Sequence, residues 1–396
     1  MPGRRSSDPG SPAWAKAGSG PRIALAHDWL TGMGGGERVL LALKQLYPEA
    51  PIFTSVYNPD RLPEEFRTFD IRTSWLQRVP LAKRKHQLFP LLRAKAFESF
   101  EFDDFDIVIS DSSSDAKGIR VNPRTTLHIC YCHTPTRYYW SHYEDYRRRP
   151  GFGRLDPLIR PVIPLLVRRM RRWDYAAAQR VDLFIANSVA VKRRIKKYYG
   201  RDSVVIFPPV DFERFELGNS RRSGLLAVGR QIAYKRFDLA VLAANRLNLP
   251  LTVVGDGPER QRLGKLAGPT VRFIKLNDRQ LAETYAAAEL LLFPGEEDAG
   301  IVPLEAMASG TPVVAYARGG ALESVVDGQT GVLFKPQSVE GLCAAIQKAG
   351  NIKWDRPSIR SHAEQFSRPR FQLKISDIVA RRYAAQTSES HREPNA

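Results

Sequence analysis

Cysteine is scarce in this chain, at three residues in 396. An odd count without a pairing pattern gives no disulfide framework and fits a reducing cytosol. Long apolar runs are missing too. No stretch approaches the ~18 consecutive apolar residues of a membrane-spanning helix, so the chain is expected to be soluble or at most peripheral to a membrane. The opening MPGRRSSDPGSPAWAKAGSGP has basic residues but not the apolar run of about 7–15 residues that a secretory signal requires. Residues 1–20 therefore read as a disordered leader. Acid is in short supply as well: 42 aspartates and glutamates stand against 60 lysines and arginines, a net charge of +18. Such an excess asks for an anionic partner, whether nucleic acid, phospholipid or nucleotide phosphate. No helix-turn-helix, zinc-finger or aromatic RNA-binding pattern accompanies the charge, which argues against nucleic acid.

The distribution of charge says more than its total. Residues 147–172, RRRPGFGRLDPLIRPVIPLLVRRMRR, hold nine arginines against one acid, Asp156. Leu155, Leu158, Ile159, Val162, Ile163, Leu165, Leu166, Val167 and Met170 are interleaved with them. Apolar anchors mixed with arginines suit an anionic membrane surface better than a nucleic-acid groove. The alternative is a buried interdomain helix whose arginines are simply solvated.

What the sequence does contain is a repeated alternation of short apolar runs with helix-length patterns, the mark of parallel sheets with helical crossovers. Runs at 22–29, 106–110, 127–133, 182–188 and 204–208 predict the strands of a first domain. Runs at 225–230, 251–257, 271–275, 290–294, 312–317 and 331–334 predict those of a second. A chain of this length exceeds the ~250–300 residues at which one core stops growing. The break falls near FPPVDFERFELGNSRRSG, where prolines, a glycine and polar residues interrupt the pattern. The expected division is 21–208, a linker over 209–223, 224–365, a helix over 366–385 packing back on the first domain, and a disordered tail over 386–396. Two open α/β domains in tandem are expected to present the ligand-binding ends of both sheets across a cleft.

One stretch carries chemistry. In PGEEDAGIVPLEAMASGTPVV, Pro294 to Val314, a strand ends at Phe293, a loop follows, and a helix is expected to begin near Val302 with Pro303 in its first turn. Gly310 and Pro312 end it. Glu297 would then lie just outside the helix and Glu305 in its first turn, with the free amides of Gly300, Ile301, Val302 and Pro303's neighbours facing the same space. A helix start attracts phosphate or sugar oxygens, and two carboxylates can each accept a pair of hydroxyl hydrogen bonds. The pattern suits a polyhydroxylated, phosphorylated ligand. Glutamates that merely complement the helix dipole would account for Glu305 but not for the placement of both. In AVGRQIAYKRFDLAV, Arg230 follows a strand and Lys235 stands at the entry to a helix near Phe237. Such cations could neutralise a diphosphate leaving group without a metal.

Taken together, HDWLTGMGGGERVL, YCHTPTRYYW, FIANS, PPVDFERF, VGRQIAYKRFDLAV and EEDAGIVPLEAMASGTPVVAYARGGALESVVDGQTGVLF resemble the retaining nucleotide-sugar glycosyltransferases of family four, over about residues 22–380. The spacing Glu297-x7-Glu305 is that family's signature. The resemblance implies the GT-B fold: α/β, two facing Rossmann-like domains with an interdomain cleft, the first on the acceptor side and the second binding the nucleotide sugar. It further implies that Arg230 and Lys235 hold the diphosphate, Glu297 the sugar hydroxyls and Glu305 the ribose hydroxyls, with Ala299, Gly300, Ile301 and Val302 completing the donor loop. Gly34 and Gly35 would let the first domain's backbone approach the phosphates or acceptor, and His133 would contact the donor sugar near the reacting carbon. The first two motifs look most like bacterial mannosyltransferases that build lipid-linked O-antigen or related surface glycans. GDP-mannose is then the expected donor, with no metal or other cofactor, a lipid-linked glycan as acceptor, and a site on the inner face of the membrane. Two departures stand out: Ala299, beside Asp298, replaces the usual aromatic of the loop, and Arg236 follows the lysine where many relatives have glycine.

Other motifs point away from competing chemistries. In GMGGGE, Glu37 occupies the place of a dinucleotide fold's third glycine, which argues against a dehydrogenase. His128, Cys130 and Cys132 alternate on one strand face and read as core packing more readily than as a zinc site. DFD at 104–106 leads straight into a strand and reads as its cap. On residue chemistry alone, His133 could equally be a satisfied core histidine. No carboxylate pair is placed as nucleophile and acid/base, so retention would come from front-face attack, with the departing phosphate oxygen taking the acceptor's proton. The rivals are a sugar-nucleotide epimerase, a phosphorylase, or a non-catalytic carbohydrate-binding protein.

Overall fold

The computed structural model describes residues 20–141, 143–148, 156–218 and 222–390. The chain forms two units, one of residues 1–207 with 371–396, the other of residues 208–370. The first unit is built on a seven-stranded sheet: β1 (Ile23–His27), β2 (Ile52–Thr54), β3 (Ile71–Thr73), β4 (Ile107–Ser112), β5 (Leu127–Cys132), β6 (Leu183–Ala186) and β7 (Ser203–Val205). All neighbours are parallel, in the order β3-β2-β1-β4-β5-β6-β7. Every residue of β1, β4 and β5 is buried, as a sheet covered by helices on both faces requires. Leu25, Ile52, Ile109 and Tyr131 on one face pack with Val39, Leu40 and Leu43 of the helix Gly35–Leu46. Phe371, Ile375 and Val379 of the last helix, Arg368–Ser390, fill the same core.

The second unit has a six-stranded parallel sheet: β8 (Leu225–Val228), β9 (Leu251–Val254), β10 (Val271–Ile274), β11 (Leu290–Phe293), β12 (Val313–Tyr316) and β13 (Gly331–Phe334), in the order β10-β9-β8-β11-β12-β13. Its helices start on local signals. Asn277 and Gln280 form a reciprocal capping box at the helix Asp278–Ala287, and Ser338 caps Val339–Gly350 by accepting from the Gly341 amide. Leu225, Val253, Leu292 and Val314 from the sheet pack with Phe237, Leu239 and Val241 of the helix Phe237–Leu247.

The structure amends the expected elements in four places. β2 and β3 had no counterpart among the expected strands. Each is only three residues long, so their identity comes from pairing with β1 rather than from a run of their own. The stretch 251–257 stops being strand at Val254, where Gly255 turns the chain at a φ of +119°. The segment 209–223 is not a bare linker. Val210 and Phe215 are buried, and the Val210 amide bonds to the Phe366 carbonyl at 2.9 Å within the second unit. Finally, the expected tail from 386 is helical through Ser390. Residues 1–19 and 391–396 lie outside the described residues.

Candidate active site

Both sheets have one place where the strand order reverses, and in open α/β sheets ligands bind beyond the carboxyl ends of the strands at that point. In the second unit it lies between β8 and β11. The loop after β8 carries Arg230 and Lys235, and the loop after β11 carries Glu297, so the topology brings together what the sequence keeps more than sixty positions apart. Lys235 Nζ lies 2.7 Å from Glu297 Oε1. Their closeness depends on bare backbone: a Cβ on Gly295 would stand 2.7 Å from Lys235 Cα, and one on Gly229 2.9 Å from Lys235 Nζ. Arg230 is exposed, and no described residue forms an ion pair with it. The carboxylate and two cations thus share one edge, with one cation held and one open to a ligand.

The loop is backed by glycines. The Gly320 amide donates to the Glu297 carbonyl at 2.9 Å, and a Cβ on Gly320 would sit 2.7 Å from the backbone of Ala299. Ala299 is buried here. Gly300 then takes a left-handed φ of +67° and opens the helix Ile301–Ala308, whose first amides are free of intrahelical partners. Starting at Ile301 places Glu305 at the fifth helical position, one residue deeper than expected and just past the first turn. There it is buried, and its Oε2 accepts from Tyr285 Oη at 2.9 Å. Tyr285, buried on the helix Asp278–Ala287, was not foreseen, because nothing in its local sequence marks it.

Arg236 has a left-handed φ of +53°, the conformation that glycine adopts without cost. Its side chain explains how a larger residue is kept there. Nε and Nη2 donate to Asp238 Oδ1 and Oδ2 at 3.1 and 3.2 Å, and its Nη1 reaches Gln337 Oε1 at 3.5 Å. Gln337 Nε2 in turn donates to the Pro294 carbonyl at 2.9 Å, tying the Lys235 turn to the start of the glutamate loop.

In the first unit the reversal lies between β1 and β4. His27 ends β1 and is the register partner of Asp111 on β4. Asp111 is fully buried and shared: its Oδ2 lies 2.8 Å from His27 Nδ1 and its Oδ1 2.6 Å from His133 Nε2, just past β5. His27 Nε2 lies 3.6 Å from Glu37 Oε1 in the first turn of the helix Gly35–Leu46. Burial opposes charge on His27, but the bonds to Asp111 and Glu37 outweigh it and raise the imidazole to about 10. His133 is likewise penalised by burial, yet Asp111 raises it above its ordinary value. Burial would raise Asp111, and the two histidines hold it below the usual carboxylate range.

The glycine loop belongs to this cluster. Gly34 and Gly35 are exposed at the helix start, and a Cβ on Gly34 would lie 3.0 Å from Glu37 Oε2. A Cβ on Gly36 would lie 3.4 Å from His133 Nε2 and 3.5 Å from His27 Cε1. The sequence singled out His133, Gly34 and Gly35 but missed His27, Asp111 and Gly36, and it weighed Glu37 only as a departure from a dinucleotide motif.

The arginine-rich segment is packed on one side and exposed on the other. Residues 149–155 lie outside the described residues. In the helix Ile163–Gln179, Val167 and Met170 are buried against Ala94 and Tyr139. Arg171 turns inward, its Nε donating to the Tyr139 carbonyl at 2.5 Å and its guanidinium lying over Tyr143. Leu165, 73% exposed, shares the outer face with Arg168, Arg169 and Arg172. No helix among the described residues is long and apolar enough to cross a membrane. Cys130 and Cys132 pack against Ala178 and Phe184. His128 Nε2 pairs with Ser110 Oγ at 2.8 Å, and burial lowers that imidazole to about 3. Asp106 accepts from the Arg22 amide at 2.7 Å just ahead of β4.

Comparison with known proteins agrees with this division. A model described as Glycosyltransferase Family 4 matches residues 33–214, and one described as Glycosyl transferases group 1 matches residues 209–366. The D-inositol 3-phosphate glycosyltransferase of Geodermatophilus obscurus is 34% identical over 240 residues, which cover 52% of this chain and 53% of that protein. The sulfoquinovosyl transferase SQD2 of Arabidopsis thaliana is 32% identical over 177 residues, 42% of this chain and 34% of that protein. The matches thus span about half or less of the curated relatives. Among solved structures, sucrose-phosphate synthase from Thermosynechococcus elongatus superposes with a TM-score of 0.71 at 18% identity, over 92% of this chain and all of that one. Anabaena HepE in complex with UDP-glucose gives 0.69 at 20% identity, over 91% of this chain and all of that one. At such identities the structural likeness is one of fold. The two matches fall one on each parallel sheet, and the chain has the fold of the GT-B glycosyltransferases.

Proposed function

We propose that the chain transfers a hexose, with retention, from a nucleoside diphosphate sugar to a hydroxyl of a lipid-linked or surface-glycan acceptor. The single observation behind this reading is the meeting of Lys235 and Glu297 beside exposed Arg230 at the strand-order reversal of the second unit. A diphosphate needs the two cations, and the amides of Gly300, Ile301 and Val302 add the field of a helix start. Sugar hydroxyls suit Glu297, and ribose hydroxyls suit Glu305 held by Tyr285. The second unit is then the nucleotide-sugar domain, and the first, with Gly34, Gly35 and His133, serves the acceptor and the reacting carbon. The protein's share of catalysis is electrostatic: stabilising the leaving diphosphate while its oxygen takes the acceptor's proton, at about 3–4 kcal/mol per well-placed donor. Because Arg230 and Lys235 supply positive charge, transfer is expected to survive EDTA.

Mannose from GDP-mannose is the donor we put first, on the likeness of the His27 and His133 motifs to mannosyltransferases. A uridine donor is the second reading, favoured by the UDP and UDP-glucose complexes of HepE, a fold neighbour. The outer face of Ile163–Gln179 supports docking on an anionic inner leaflet that presents the acceptor. A thermal-shift panel decides the base: GDP is expected to raise the melting temperature more than UDP or ADP, since a ligand bound only by the native state stabilises it by mass action. A larger shift with UDP would replace the guanine reading. No shift with any of the three would overturn nucleotide-sugar binding itself.

A further inference from the structure

The histidine cluster of the first unit does more than fill space. Both nitrogens of His27 face carboxylates, Asp111 at 2.8 Å and Glu37 at 3.6 Å. An imidazole can satisfy two carboxylates only as a two-proton cation. Asp111 accepts on both oxygens, so the proton shared with His133 resides on His133 Nε2. His133 Nδ1 makes no hydrogen bond with any described residue, and the ring is part-buried at the ligand edge of the sheet. The charges then decide its state. Asp111 and Glu37 are two negative groups against one cation, and a second proton on His133 brings the cluster to neutrality, which burial favours over a lone net charge.

The remaining neighbours agree. Asp28, next after β1, is buried and accepts from Ser112 Oγ and Ser113 Oγ and from the Ser113, Asp115 and Ala116 amides, and its proximity also favours charge on His133. Tyr131 meets the His133 ring edge-on at 5.4 Å between centroids and is itself held neutral by burial. Gly36 leaves room for the rings, as its missing Cβ would touch both.

We infer that Asp111, backed by His27 and Glu37, is a positioning residue that holds His133 by Nε2 and keeps it a two-proton imidazolium, presenting its Nδ1–H to an oxygen of a bound substrate. The inference rests on the proposed glycosyl transfer for its catalytic meaning, but the charge state of His133 does not. Transfer should therefore run at full rate while His133 is protonated and decline as pH rises through its elevated pKa. The sign of each perturbation is set by what is removed. Asp111→Asn takes away the group that raises His133, so the decline moves to lower pH. His27→Gln keeps a donor toward Asp111 but removes a positive charge that disfavours a second one, so the decline moves to higher pH.

The test is a pH titration of the full-length protein with ¹⁵N-labelled histidine rings, His133 and His27 being assigned from single variants, alongside the pH dependence of kcat and KM for the donor. Wild type is expected to show His27 protonated on both nitrogens from pH 6 to 9 and His133 titrating above the ordinary value of 6.5. Asp111→Asn should lower that midpoint by about one unit or more and reduce kcat about 10–100-fold with KM changed less, in line with a lost general contribution of this kind. His27→Gln should raise the midpoint and, unlike a merely structural change, shift the kcat profile with it. A wild-type His133 midpoint at or below 6.5, or the same shift in both variants, would overturn the inference. Should Asp111→Asn fail to fold, the direction of the His27→Gln shift decides alone: upward supports the imidazolium, and no shift or a downward one overturns it. If no nucleotide sugar is turned over by wild type, the function proposal fails while the ring titration still answers this question.

Discussion

The two units share a sheet architecture and differ in what they bury. Among the described residues, the first unit encloses His27, Asp28, Glu37, Lys44, His86, Arg93, Asp111, Asp115, Lys117, His128 and Asp174, whereas the charged side chains enclosed by the second are Asp298 and Glu305. Lys117 pairs with Asp174 at 2.6 Å, and Asp174 also accepts from Thr136, Trp140 and Tyr199 at 2.9, 2.7 and 2.7 Å. Arg93 pairs with Asp115 at 2.7 Å, both fully buried. The second unit has an apolar centre and keeps its key ion pair, Lys235 with Glu297, part-exposed at the strand ends. An interior polar network fixes geometry at a high desolvation cost, and losing one partner strands the other. A rim pair can open for a ligand. The first unit thus locks its ion pairs inside, and the second keeps one at its rim.

That contrast can be broken most sharply at Asp174. Asp174→Ala leaves Lys117 and three neutral donors buried without their acceptor and should destabilise the first unit by about 3–5 kcal/mol, read as a lower urea midpoint in tryptophan fluorescence. A loss below about 1 kcal/mol would mean that the network is as dispensable as a surface pair. The counterpart in the second unit is Arg230→Ala with Lys235→Ala. Transfer should fall about 10²–10³-fold or more while the urea midpoint stays near wild type. Wild-type turnover in that variant would remove the diphosphate role from both cations.

The outer basic face of Ile163–Gln179 extends the comparison to surfaces. Arg168→Glu with Arg172→Glu should weaken co-sedimentation with anionic vesicles, at about 1 kcal/mol for each arginine near the surface, and leave donor hydrolysis unchanged. Salt should reduce wild-type binding, because the attraction acts within a Debye length of ~8–10 Å. Equal sedimentation with zwitterionic vesicles would assign this face to some other use. Smallest is Tyr285→Phe, which removes one hydrogen bond to Glu305 and should cost about 1–2 kcal/mol in nucleotide affinity or stability. An unchanged thermal shift with nucleotide and an unchanged melting point would show that Glu305 needs no such support.

How much could be read from sequence follows the same divide. All six strands of the second unit stand out because each is a short apolar run ending at a turn residue. Glu297, Glu305, Arg230 and Lys235 lie in two compact local patterns. In the first unit β2 and β3 are too short to announce themselves, and His27 and Asp111 are 84 residues apart. Nothing in IVISDS says that its aspartate is paired inward rather than turned to solvent. His133 was legible through the family likeness, while its partners required the register of β1 and β4. Tyr285 escaped for the same reason: one aromatic on an amphipathic helix reads as core until the residue opposite its hydroxyl is known.

The last helix has a consequence for how the chain is made. Phe371, Ile375 and Val379 complete the core around Leu25, Ile52 and Tyr131, so the first unit lacks a wall until residues 371–379 leave the ribosome. At about 5–20 residues per second, residues 208–370 delay that wall by roughly ten seconds or more. The second unit, continuous in sequence, can close during this interval, while the earlier-made half waits with an apolar groove uncovered. Nascent chains stalled before Phe371 should therefore be the protease-sensitive and chaperone-bound ones, with the second unit expected to close before the first.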